Sequence, residues 1–76
     1  MKLSERQLLA LLKSIQPQKW AEHGMMVGFA DIMDACKLQG MDNHEIVKAL
    51  IRRLHDEGHL EAISDDYGMH GVKFSD

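Results

Sequence analysis

Between Met41 and Ile63 the chain runs MDNHEIVKALIRRLHDEGHLEAI, and few local structures satisfy that stretch. Asp42-Asn43-His44-Glu45 has the form of a capping box, with Asp42 as the cap and the Glu45 carboxylate three residues on. Met41 and Ile46 are spaced as a hydrophobic staple. Val47, Leu50, Ile51 and Leu54 then follow at the i, i+3, i+4, i+7 interval of a helix with one buried face. Gly58 supplies the stop, and Leu60, Ala62 and Ile63 continue as strand. A helix over 42–57 with one apolar stripe needs a platform on one side and leaves its other face to solvent.

The preceding residues can build that platform. Ser4-Glu5-Arg6-Gln7 is a second capping box, with Leu3 and Leu8 placed as its staple. Leu8, Leu11, Leu12 and Ile15 form the stripe of a first helix, with Leu9 at its edge, and Pro17 ends it near Ile15–Gln16. Residues 17–24 read as a connector in which Trp20 caps the core. Met25-Met26-Val27 reads as a short strand between two glycines. A second helix over Phe29–Leu38 buries Phe29, Ile32, Met33 and Cys36, and Gly40 is its left-handed stop. Met25, Met26, Met33 and Met41 are expected to fill the core. Ser64–Gly71 is turn chemistry, so Leu60–Ser64 and Val72–Phe74 form a hairpin. A lone hairpin is unstable in water and must lie on the helices. The expectation is one α+β domain over residues 1–76, mostly α, with three helices, a small antiparallel hairpin and a short third strand.

Size and charge narrow the function. A chain of 76 residues buries only ~60% of its unfolded surface, which leaves little scaffold for a deep pocket. No GxSxG elbow and no phosphate loop is present, so an enzyme is not expected, and no cofactor is implied. The single cysteine, Cys36, excludes an internal disulfide and reads as a small core residue. His55 and His59 are four apart, but Gly58 breaks the helix between them, so no metal site is expected. The longest apolar run, Leu8–Leu12, is far below the ~20 residues of a membrane span. No basic-then-apolar leader opens the chain, so a cytoplasmic location is expected, in a bacterial or phage-infected cell. Net charge is −3, divided as +1 over residues 1–41 and −4 over 42–76.

Helix, short strand, helix, glycine turn, helix and hairpin, with VKALIRRLHDEGHL at 47–60 followed by EAIS, resembles the winged helix-turn-helix superfamily. The opening LSERQLLALLKSI is similar to the first helix of the SOS-repressor DNA-binding domains, which share the short glycine-containing wing. The resemblance covers roughly residues 3–74 and implies a DNA-binding transcriptional regulator whose third helix enters the major groove of double-stranded DNA. Carried onto this chain, the contacts would be Asn43, His44, Lys48 and Arg52 on that helix, with His70 and Lys73 on the wing. Asn suits adenine and Arg suits guanine, while Lys48 and Arg52 could instead reach phosphates.

The chain departs from that pattern at Asp65 and Asp66, where such wings often carry Arg or Lys, and at Glu45 beside the reading positions. Arg52–Asp56 and Arg53–Glu57 are i, i+4 pairs that compete with phosphate contact. A second reading therefore stands beside the first: a protein–protein interaction module, such as a complex subunit or a phage-encoded inhibitor, that uses Glu61, Asp65, Asp66, Tyr67 and Met69. Leu9, beside the stripe of the first helix, leaves room for a homodimer contact there.

Overall fold

The structure is a computed structural model that describes residues 3–74. Three helices, α1 (Glu5–Ser14), α2 (Phe29–Leu38) and α3 (His44–Asp56), are combined with four strands. These are β1 (Gln18–Trp20), β2 (Gly24–Gly28), β3 (Glu61–Asp65) and β4 (Gly68–Lys73). The strands form one antiparallel sheet in the order β1-β2-β4-β3. The domain is thus α+β, with a four-stranded sheet where a hairpin and one short strand were expected.

The centres of all three expected helix stripes are buried. Leu8 and Leu12 of α1 meet Ile32, Met33 and Cys36 of α2 and Val47, Ile51 and Leu54 of α3, and Val27, Leu60 and Val72 close the cluster from the sheet side. Full burial of an aliphatic side chain is worth about 1.5–3 kcal/mol, so this cluster supplies most of the driving force. Phe29, Leu11, Leu50 and Ile15 cover it while remaining partly exposed. The Ser4 cap is as expected: its hydroxyl accepts from Gln7 N–H, and the Gln7 side chain accepts from Ser4 N–H.

α3 begins differently. Asn43, not Asp42, is the cap: its backbone is extended and its Oδ1 accepts from the Glu45 and Ile46 amides at 3.0 and 3.2 Å. Asp42 instead lies 3.9 Å from Lys37 across the turn. Moving the cap by one residue takes Met41 and Ile46 out of staple positions, and Ile46 is 45% exposed. The far end of α3 closes as a Schellman motif, with His59 N–H on Leu54 O and Gly58 N–H on His55 O. Gly58 sits at φ +83°, which a side chain would resist.

The sheet departs furthest from expectation. Residues 18–20, read as connector, pair with β2 through Gln18↔Met26, Lys19↔Met25 and Trp20↔Gly24. Gln18 and Lys19 are exposed, so no apolar alternation marks the strand; backbone pairing alone makes it. On β2 the pleat buries Met26 and Val27 and leaves Met25 55% exposed, so Met25 is not a core residue. The turn expected over Ser64–Gly71 is mostly strand: only Asp66 and Tyr67 lie between β3 and β4. Pairing passes from Ile63↔Gly71 to Ser64↔Met69, which leaves His70 as the extra residue of a bulge. Gly71 is a strand residue because a Cβ there would collide with the Val27 carbonyl oxygen of β2.

Candidate functional site

His44, Lys48 and Arg52 follow one another at i, i+4 along α3, and all three keep some exposure. The opposite flank of the helix is closed. There Leu50 packs against the core, and Arg53 Nε lies 2.7 Å from Glu5 Oε1 of α1. That contact is a charge approach rather than an aligned hydrogen bond, since Glu5 Oε1 is shielded from water and accepts none. The expected Arg53–Glu57 and Arg52–Asp56 pairs do not form. Among the described residues Arg52 makes no ion pair.

The open flank is organised around Phe29. The ring stands edge-on to His44 at 5.9 Å between centroids, and Lys48 Nζ lies 5.8 Å above it. Lys48 is also 3.9 Å from Glu45 Oε1. Its ammonium is thus attracted by an aromatic face and by a carboxylate, and the side chain is only 26% exposed. Asn43, expected to read bases, has its carbonyl oxygen committed to two helix amides. Only its side-chain NH2 is left to donate outward.

A groove runs from this flank to the wing. Lys37, His44 and Lys48 line it together with Tyr67, Met69 and His70 of the β3–β4 hairpin, Trp20, and Asp31 and Asp34 of α2. His70 therefore joins His44 and Lys48, as the DNA reading requires, but does so beside three carboxylates. Its Nε2 donates to Asp65 Oδ2 at 2.7 Å, and the ring lies 6.2 Å from His23 and 6.3 Å from Trp20. The bond from His70, then that from Tyr67 N–H at 2.8 Å, holds the Asp65 carboxyl below its ordinary value of 3.8. Asp65 is therefore a fixed negative charge on the wing. Phe29, Lys37 and His23 carry no motif, and only the folded chain reveals that they meet here.

Two other expected residues lie apart from the groove. Lys73, at the end of β4, faces Glu61 at the start of β3. That end of the sheet is opposite the tip, so Glu61 shares no patch with Asp65, Asp66 and Tyr67. Tyr67 is 95% exposed, and Met69 is half-buried against the core.

The remaining chemistry-bearing side chains serve the fold. Burial pushes the Cys36 thiol up from its ordinary value, which disfavours the thiolate. His55 Nδ1 accepts the Ala62 amide at 3.1 Å and fastens β3 to the end of α3. Among the described residues no three His, Cys, Asp or Glu side chains converge as metal ligands, and no helix is long and apolar enough to cross a membrane. No protein-family model, curated protein or solved structure matches the chain.

Proposed function

We propose that the chain is a winged helix-turn-helix domain that binds duplex DNA through α3, as a cytoplasmic transcriptional regulator or its DNA-binding part. The order α1-β2-α2-α3-β3-β4 supports this reading, with β2, β4 and β3 adjacent in the sheet and β1 as an added edge strand. The observation that carries it is the strip His44–Lys48–Arg52: His44 and Lys48 line the same groove as the hairpin residue His70, and Arg52, one turn further along the helix, makes no ion pair among the described residues. A helix lying in the major groove presents such a strip to base edges and phosphates. Asn43 contributes as a cap that fixes where the helix starts, with its NH2 group available to a base. A homodimer through α1 would double the phosphate contacts of a face that has few.

Titration of mixed-sequence duplex DNA tests this at several salt concentrations between about 50 and 200 mM. Binding by the wild type should fall steeply with salt. Lys48→Ala with Arg52→Ala should flatten the log–log slope by about 1.8, two phosphates at ~0.9 each. A folded wild type that fails to bind at the low-salt end sinks the reading.

One observation favours a second reading. Asp31 and Asp34 line the groove, Asp65 is bonded to its His70, and Glu45 already approaches its Lys48. A protein partner with a basic surface would meet this face better than a polyanion does. Capture of one partner from extract, unchanged by nuclease and abolished by Asp31→Lys with Asp34→Lys, would support this reading over DNA binding.

A further inference from the structure

We infer that the chain associates with a second copy of itself, the wing tip of one protomer seated in a lysine-flanked groove of another. The groove shares no lining residue with the one beside α3. Ile15, Pro17, Met25 and Phe74 provide its apolar lining, and Lys13 and Lys73 are the charged groups along it. Among the described residues no carboxylate lines it. Lys19 stands directly across from Met25 in the β1–β2 register and adds a third ammonium nearby. On a protein of net charge −3, an apolar groove whose described lining carries lysines and no carboxylate selects an occupant with both an apolar anchor and negative charge.

The same chain presents that occupant. The wing narrows to a two-residue tip, Asp66 and Tyr67, flanked by Asp65. Tyr67 is the most exposed large hydrophobic side chain among the described residues, at 95%. The Asx turn from Asp65 to Tyr67 N–H and the His70–Asp65 bond set the tip rigidly, so little ordering entropy is lost on docking. Aromatic side chains in such positions are the usual anchors of protein interfaces.

A chain cannot satisfy its own groove. The tip and Lys73 are at opposite ends of the six-residue β4. At ~3.4 Å per residue they stand about 17 Å apart along a paired strand that cannot fold back. The match is therefore intermolecular. Because tip and groove are different patches, the contact either closes reciprocally about a two-fold axis, each tip in the other copy's groove, or continues head to tail into rings or open chains. The inference is independent of what α3 binds.

Sedimentation velocity over a concentration series, with circular dichroism on each variant to confirm folding, provides the test. The wild type should exceed the 8.6 kDa monomer mass as concentration rises and should lose that excess at high salt. Asp66→Lys cancels the charge of Asp65 and leaves a neutral tip, and Lys13→Glu with Lys73→Glu puts a negative groove against a negative tip. Each variant alone should weaken association, the groove reversal on the order of tenfold or more. Mixing the two folded variants should restore one pairing, the negative tip of the groove variant in the unchanged lysine groove of the Asp66→Lys variant. Tyr67→Ala should weaken it without changing charge. A wild type that stays monomeric at about 1 mM overturns the inference. So does association that ignores both charge reversals, because another face, such as the flank of α1, then carries it.

Discussion

Ile51 and Gly71 are both shut away from water, for opposite reasons. Ile51 sits at the centre of the α3 stripe, fully buried among side chains of α1, α2 and the sheet. Gly71 is buried because β2 passes so close to β4 that no side chain fits between them: it stands opposite Gly28, and a Cβ would run into the Val27 carbonyl. The helical layer is held by what its side chains fill. The pairing of β2 with β4 is held by what Gly71 leaves out.

The largest effect should come from emptying the helical layer. Ile51→Ala is expected to cost about 2–5 kcal/mol through lost transfer energy and the cavity left behind. A domain of 76 residues has only about 4–11 kcal/mol in total, so this variant should lose a large fraction of its stability and unfold at a much lower urea concentration. Ile51→Val keeps the measurement readable, with an expected loss of about 0.5–1.5 kcal/mol in urea unfolding. A smaller loss for the alanine variant than for the valine variant would place the centre of the core elsewhere.

Gly71→Ala reverses the ordinary sign. A strand glycine replaced by alanine at compatible backbone angles gains about 0.4–1 kcal/mol by restricting the unfolded chain. Here the methyl group meets backbone, which cannot swing aside, and overpacking of that kind costs about 1–3 kcal/mol. A lowered urea midpoint supports the close approach of β2 and β4, and a raised one refutes it. Gly28→Ala should be milder, since its Cβ would meet the edge of the Trp20 ring at 3.2 Å.

The same contrast explains what could be read from the sequence. Helix stripes, both glycine stops and the Ser4 capping box depend on residues a few positions apart, and all were legible. β1 was not, because Gln18 and Lys19 carry no pattern and the strand exists only through pairing with β2. Gly71 looked like a turn residue because a glycine that permits a bend and one that admits a neighbouring strand are the same letter. His44 and Lys48 were assigned to one face correctly by helical spacing. Their dependence on Phe29, and the arrival of His70 beside them, required the tertiary fold. Asn43 and Asp42 were separated by a single residue of helix start, which sequence signals rarely resolve.

That last ambiguity gives a smaller and sharper test. Asn43→Ala removes the acceptor of two helix amides and should cost about 1 kcal/mol, while Asp42→Ala loses only an exposed 3.9 Å ion pair and should cost about 0–0.5 kcal/mol. Equal losses, measured by thermal unfolding, would return the cap to Asp42. Because Asn43→Ala leaves Lys48 and Arg52 in place, its effect on the salt slope of DNA binding should be negligible.

The smallest effect belongs to the wing, where neither filling nor close approach operates and a polar pair sets the tip. The carboxyl of Asp65 is held below 3.8 by His70 and by the Tyr67 amide. Its folded value is thus lower than its unfolded one, so its contribution to stability is complete above 3.8 and is lost as pH falls through the lower folded value. The wing tip should therefore loosen only on the acid side, at a pH below the range in which free aspartates titrate. Asp65→Asn keeps an oxygen for the Tyr67 N–H but removes the charge facing His70. In that variant the amide resonances of Tyr67 and Gly68 should lose this acid transition and show faster hydrogen exchange at neutral pH. Unchanged exchange would mean that the bulge at His70 and the pairing of β3 with β4 suffice to hold the tip, and the wing would then belong with the rest of the sheet, fixed by backbone alone.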